Sequence, residues 1–172
     1  MFAPEELWEN FLAVSLLSSD SQSSDKPCQR ASQIGELCER ARIIASQDST
    51  QAELMEAWMA TFLARAAWLY SKGGDNKQSA CRYRESLAIV NSAEVRANYV
   101  ELLCEMNDFT LACIECNKVD MSLVTGELAS TARQLLTLLV NYPALALAVS
   151  EQTLRACLAA SSRDGSIIVS LK

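Results

Sequence analysis

Apolar residues recur at the spacing of a helical face along most of the chain, and short polar stretches interrupt them. This pattern is typical of helices that bury one side. It predicts eight helices, over about 4–17, 27–47, 51–72, 76–90, 93–106, 108–118, 122–140 and 143–160. Glycine or proline lies at three of the breaks, namely at Pro27, at Gly73 and Gly74, and at Pro143, and both residues commonly mark the ends of helices. The pattern therefore predicts an all-α fold.

The predicted helix over 51–72 is apolar around most of its circumference, so we expect other elements to cover it. Glu53 lies three residues after Thr50 and predicts a capping box at the start of this helix. Beyond residue 160 the helical pattern stops, and a β-prone run of two isoleucines and a valine follows. We expect the tail over 161–172 to form a short strand or to be disordered.

Two stretches near the centre of the chain match at a fixed offset. Gly74 and Asp75 align with Asn107 and Asp108, which follow them by 33 residues. Each pair lies between two predicted helices. A period of this length is typical of stacked helical repeats, in which each unit buries its apolar face against the next.

With this register the chain resembles the tetratricopeptide repeat (TPR) family, whose units pair two antiparallel helices around a Gly-Asp-aromatic turn. The matching positions of the first unit are Leu63, Ala66, Ala67, Tyr70, Gly74, Asp75, Ser79, Tyr83, Ser86 and Leu87. Those of the second unit are Arg96, Tyr99, Val100, Leu103, Asn107, Asp108, Phe109, Ala112, Cys116 and Val119. Both units lack the usual first tryptophan, and Asn107 replaces the turn glycine. The alternative is an irregular helical bundle in which two hairpins look alike by chance.

The resemblance implies antiparallel hairpins stacked as a short TPR-like solenoid. It implies one helical-repeat domain over 1–160, with the best match over 61–119. In the family, the first helix of each pair lines a concave groove. By register the groove residues here are Thr61, Ala64, Trp68, Ser71, Lys72, Glu94, Ala97, Glu101, Cys104 and Glu105. Members that clamp a carboxylate terminus of a heat-shock chaperone need Lys and Asn at the positions of Ala64 and Trp68, so that subfunction is not expected.

The implied groove combines an aromatic side chain with three glutamates. This combination suits a partner protein that offers a helical or extended segment with apolar or basic side chains. The alternative for Trp68 is a core residue packed on the preceding helix.

Composition and charge narrow the classes of partner. The chain of 172 residues has a formal net charge of −6, and an acidic surface repels nucleic acid. No uncharged run is long enough to cross a bilayer. Glu5, Glu6 and Glu9 lie where a signal peptide would carry positive charge, so the sequence predicts a cytoplasmic protein.

Groups that carry catalysis are scarce. The chain has no histidine, which removes the commonest general base and most catalytic zinc sites. It has no glycine-rich phosphate loop. Cys113 and Cys116 form a CxxC pair that we interpret as helix core, with redox or metal use as the alternative. We therefore predict no catalytic residues, no metal and no cofactor.

These observations favour a non-enzymatic scaffold or chaperone that works in a heteromeric complex. The chain length and the few repeats with extra terminal helices resemble the small chaperones of type III secretion systems, which keep export substrates soluble. The alternative is a structural subunit of a larger complex, with permanent interfaces at 51–72, 134–150 and the tail.

Overall fold

The computed structural model describes residues 4–16, 25–119 and 126–162. The helices of this part of the chain are α1 (Pro4–Leu16), α2 (Asp25–Gln47), α3 (Ala52–Lys72), α4 (Asn76–Ile89), α5 (Ala93–Glu105), α6 (Phe109–Asn117), α7 (Gly126–Asn141), α8 (Pro143–Ala148) and α9 (Glu151–Ser162). The prediction of an all-α fold is confirmed. The chain divides into two compact units, Met1–Asn91 and Ser92–Lys172. The single domain over 1–160 stays a prediction.

The core of the first unit is built by α1, α2 and α3. Helix α3 packs against α2 along much of its length, and α1 packs against α2. Four aromatic rings join α1 to α3: the Phe11 and Phe62 centroids are 4.3 Å apart, and the Trp8 and Trp58 centroids are 5.1 Å apart. Large aromatic rings that pack on one another contribute much of the stability of a small core. As the sequence predicts, most of α3 is covered.

Helix α4 covers a second side of α3, and small residues lie at the contact. The Ser79 hydroxyl donates a hydrogen bond to the Ala67 carbonyl oxygen, and the Ser86 hydroxyl donates to the Ala60 carbonyl oxygen, both at 2.8 Å. A side chain as short as serine reaches a backbone carbonyl only when the helices lie close together. The alanines of α3 allow that approach because they add little bulk.

The second unit begins with the α5–α6 hairpin, which contains a buried ion pair. The Arg96 guanidinium contacts the Glu115 carboxylate, and both side chains are almost fully buried. Lys118 donates a second charged hydrogen bond to Glu115 at 2.8 Å. A buried charge is tolerated only when it is paired and hydrogen-bonded, as Glu115 is here. Helix α7 then packs against both α5 and α9.

The turns of the two hairpins have the same geometry. Gly74 and Asn107 both adopt the left-handed conformation, with φ of 81° and 60°. The next residue, Asp75 or Asp108, donates its backbone N–H to the carbonyl five residues earlier at 2.9 Å in each case. This is the Schellman ending of a helix. Each aspartate side chain also accepts the N–H of the residue three positions later, which caps the following helix.

The prediction of a capping box at the start of α3 is wrong. Helix α3 has Gln51 as its N-cap with no side-chain hydrogen bond, so the capping box is not formed. The Asp48 carboxylate instead accepts hydrogen bonds from the backbone N–H and hydroxyl of Thr50. These bonds hold the pKa of Asp48 below its usual range.

The predicted helix over 143–160 is divided into α8 and α9 at Val149, whose backbone is extended. The Ser150 hydroxyl accepts the Thr153 N–H and so caps α9, while the Asn117 side chain accepts the Ser150 N–H at 2.9 Å. A side chain from α6 therefore stabilises the break. Helix α9 runs to Ser162, and the predicted strand or disorder beyond it lies outside the described residues.

Candidate functional site

The residues predicted on α3 lie on one side of that helix, at its C-terminal half. The Trp68 side chain is 38% exposed, Thr61 and Lys72 are exposed, and Ala64 and Ser71 are half-buried. Trp8 and Trp58, in contrast, are packed against the core of the first unit. Tryptophan is seldom exposed to solvent, and it is enriched among the residues that contribute most to binding at protein interfaces.

A residue that the sequence reasoning missed completes this surface. The Arg65 guanidinium carbon lies 4.3 Å from the centre of the Trp68 ring, and the Lys72 ammonium nitrogen lies 5.6 Å from it. Arg65 precedes Trp68 by three positions and Lys72 follows it by four, so both side chains can reach the ring on a helix. We call this set the Trp68 surface, which consists of Thr61, Ala64, Arg65, Trp68, Ser71 and Lys72.

Arg65 is anchored as well as stacked. Its guanidinium donates a hydrogen bond of 2.8 Å to the carbonyl oxygen of Ser15, near the end of α1. Partial burial and, to a smaller extent, the nearby positive charge of Arg30 lower the pKa of Arg65. An arginine remains charged at neutral pH even so, because its usual pKa lies above about 12. The guanidinium is therefore a fixed positive charge beside the exposed ring.

The groove residues predicted on α5 lie in the second unit, where α7 packs against α5. Some of them are buried there and others are exposed. Ala97 and Cys104 are fully buried, so their side chains are not at the surface. Glu94, Glu101 and Glu105 are exposed. The α7 residue Gln134 donates a hydrogen bond to the Glu101 carboxylate at 2.7 Å, which gives one of the three acids a partner within the chain.

A polar cavity of about 420 Å³ lies between α2 and α4 in the first unit, with Leu63 and Tyr70 of α3 among its lining residues. Its charged residues include Glu39 with Arg42 and Arg82 with Glu85, each pair joined by a hydrogen bond of 2.6 or 2.7 Å. Burial raises the pKa of the Tyr70 hydroxyl, and the charge of Arg82 opposes that shift.

The CxxC pair lies on α6. Cys116 is fully buried, and burial raises its pKa to about 12. Cys113 is half-buried, and its sulfur is 2.9 Å from the carbonyl oxygen of Ala148, to which the thiol donates. A cysteine acts as a nucleophile or a metal ligand in its thiolate form. With this raised pKa, only a very small fraction of Cys116 is a thiolate near neutral pH. In the described residues, no three Cys, Asp or Glu side chains are arranged to hold a metal ion.

Comparisons of the chain with protein-family models, curated proteins and solved structures found no match. Of the helices in the ranges given above, none combines the length and apolar content needed to cross a lipid bilayer.

Proposed function

We propose that this chain is a non-enzymatic binding protein of TPR-like architecture that holds a segment of a partner protein on the Trp68 surface. The observation that carries the proposal is the exposed Trp68 ring on the first helix of the α3–α4 hairpin. The same geometry in two turns separated by 33 residues supports the relationship to repeat proteins. Such proteins use the corresponding helix to contact their partners.

The energetics of α3 agree with this role. One side of the helix is committed to α2 and another to α4, so its fold does not depend on the exposed face. A tryptophan that a partner covers typically contributes about 2 kcal/mol or more to binding. Trp68 can therefore be replaced at small cost to the fold and at large cost to binding.

Site-specific cross-linking on the full chain tests the proposal. A benzoylphenylalanine in place of Thr61 would sit one helical turn from Ala64 and Arg65 and would react with any segment bound there. We expect it to cross-link one partner from the native lysate and to lose that product when Trp68→Ala is added. Ile43→Ala is the matched control, because Ile43 is an exposed apolar residue of α2 in the same unit.

The absence of any cross-linked product would overturn the proposal, and so would a product that persists with Trp68→Ala. Circular dichroism of both variants separates loss of binding from loss of fold. A partner that is an exported subunit kept soluble by the complex would agree with the narrower proposal of a secretion chaperone.

A second candidate function, a structural subunit of a larger complex, is favoured by a different observation. Val140 on the last turn of α7 is 76% exposed, and Leu147 on α8 is 90% exposed. Exposed apolar patches mark interaction sites, and a permanent interface at this end of the second unit would cover both side chains. A subunit of this kind would lose its assembly with Leu147→Glu and keep it with Trp68→Ala. The chaperone proposal predicts the reverse pattern in the same two variants.

A further inference from the structure

The charge around Trp68 bears on the chemistry of the partner. The exposed ring lies between two positive groups of its own helix, the Arg65 guanidinium and the Lys72 ammonium group. The three glutamates that the sequence reasoning grouped with Trp68 belong to α5, in the other unit. Among the six residues that define the Trp68 surface, the two charged side chains are thus both positive, although the chain as a whole is acidic.

These two positive groups differ from three arginines at the surface of the same chain. Arg42, Arg82 and Arg155 each form an ion pair with a glutamate three or four positions away on their own helix. Among the residues that the structure describes, neither Arg65 nor Lys72 has a carboxylate partner, and the only hydrogen bond of the Arg65 guanidinium goes to a backbone carbonyl. Within the ranges 4–16, 25–119 and 126–162, no carboxylate therefore competes with an external anion for these two cations.

We propose that the segment held on the Trp68 surface is acidic, with side-chain carboxylates that pair with Arg65 and Lys72 and an apolar side chain that contacts the Trp68 ring. This inference rests on the proposed function and names the chemistry of its partner. It replaces the expectation of a basic segment. A guanidinium donates charge-assisted hydrogen bonds to a carboxylate, and the ring supplies apolar contact area next to it. Together they select an acidic and apolar segment by charge and by shape.

Two synthetic helical peptides test the inference on the full chain. They share the same leucine and tryptophan positions, and one has glutamate where the other has lysine. We expect the glutamate peptide to bind about tenfold more tightly at low salt, measured by fluorescence anisotropy, and high salt to reduce the difference. Lys72→Glu should lower the affinity for the glutamate peptide about five- to tenfold. Lys77 is an exposed lysine of α4 in the same unit, and Lys77→Glu should change the affinity for this peptide less than about twofold.

Equal or tighter binding of the lysine peptide would overturn the inference. The inference would also be overturned if the glutamate peptide bound the Lys72→Glu variant as tightly as it binds the wild type. It would be overturned as well if Trp68→Ala changed the binding of neither peptide. The cross-link from position 61 distinguishes these failures from failure of the proposed function. If a native partner still cross-links and depends on Trp68, the surface binds a protein of different chemistry.

Discussion

The α3–α4 and α5–α6 hairpins have the same turn, but their helices are held together by different contacts. In the first hairpin, two buried serine hydroxyls of α4 donate to carbonyl oxygens of α3. The position that matches Ser79 in the second hairpin is Ala112, which cannot form such a bond. There, the buried pair of Arg96 and Glu115 joins the helices instead. At the matching positions the first hairpin has Leu63 and Arg82.

The comparison shows that the turns of this fold are determined by neighbouring residues, whereas the contacts between helices are not. The turn depends on one residue that tolerates a left-handed backbone and on the aspartate that follows it, so it recurs wherever those residues recur. The contact between the helices depends on residues far apart in the chain. Different pairs of residues can serve there, provided that every buried polar group has a partner.

Replacing Arg96 should have the largest effect on stability. Arg96→Met leaves the buried Glu115 carboxylate with Lys118 as its remaining charged partner, and we expect the free energy of unfolding to fall by about 3 kcal/mol. The double variant Arg96→Met, Glu115→Leu should recover most of this loss, because no charge is then left buried. Urea denaturation of the full chain measures both.

The control for the ion pair is Arg42→Met, since Arg42 pairs with Glu39 at 2.6 Å on the surface of α2. We expect a change below about 0.5 kcal/mol there, because water screens the exposed pair. Equal effects of Arg96→Met and Arg42→Met would show that burial does not set the strength of these contacts.

The serine contacts of the first hairpin should have the next largest effect. Ser79→Ala and Ser86→Ala each remove one buried hydrogen bond, and the double variant should lose about 2 kcal/mol. Ser46→Ala is the matched control, because Ser46 donates a bond of 2.7 Å to the Ile43 carbonyl on the exposed side of α2. We expect it to cost less than about 0.5 kcal/mol. If the control costs as much as a buried serine, close helix packing is not what these hydroxyls stabilise.

The aspartates after the two turns should have smaller effects that match each other. Asp75→Ala and Asp108→Ala each remove a cap whose oxygen accepts a backbone N–H at 3.0 or 3.1 Å, and each should cost about 1 kcal/mol. Asparagine at either position should restore most of the loss, because its side-chain oxygen can accept the same bond. Thermal denaturation compares the four variants. Unequal losses at Asp75 and Asp108 would contradict the equivalence of the two turns.

Much of the fold could be predicted from the chain because its signals are local. Apolar spacing predicted the helices, and the positions of Gly74 and Asn107 predicted two turns of one kind. The division between α8 and α9 was missed because Val149 interrupts no apolar pattern. The Ser150 cap is held by Asn117 from another helix, and no short-range signal reports such a contact. The pairing of Arg96 with Glu115 is hidden for the same reason.

The candidate site was predictable only in part. Repeat register selected the helix and the residue Trp68, but it could not predict that Ala97 is buried or that Gln134 of α7 donates a hydrogen bond to Glu101. Arg65 was missed because register selects backbone positions, whereas its contact with the ring depends on side-chain direction. One signal was present: a basic residue three positions before an exposed aromatic residue can lie over its ring.

The smallest expected effect comes from exchanging the two left-handed residues, and it tests the comparison most directly. Glycine adopts a positive φ without strain, whereas asparagine does so at a small cost. Gly74→Asn should therefore lower the free energy of unfolding by about 0.5 kcal/mol, and Asn107→Gly should raise it by about the same amount. A Cβ at position 74 would meet no atom within 4 Å, so the cost there is conformational and not steric. The double exchange should then leave the midpoint of urea denaturation near that of the wild type. A double variant that is clearly less stable would show that the two turns share hydrogen bonds but differ in how far the surrounding helices constrain them.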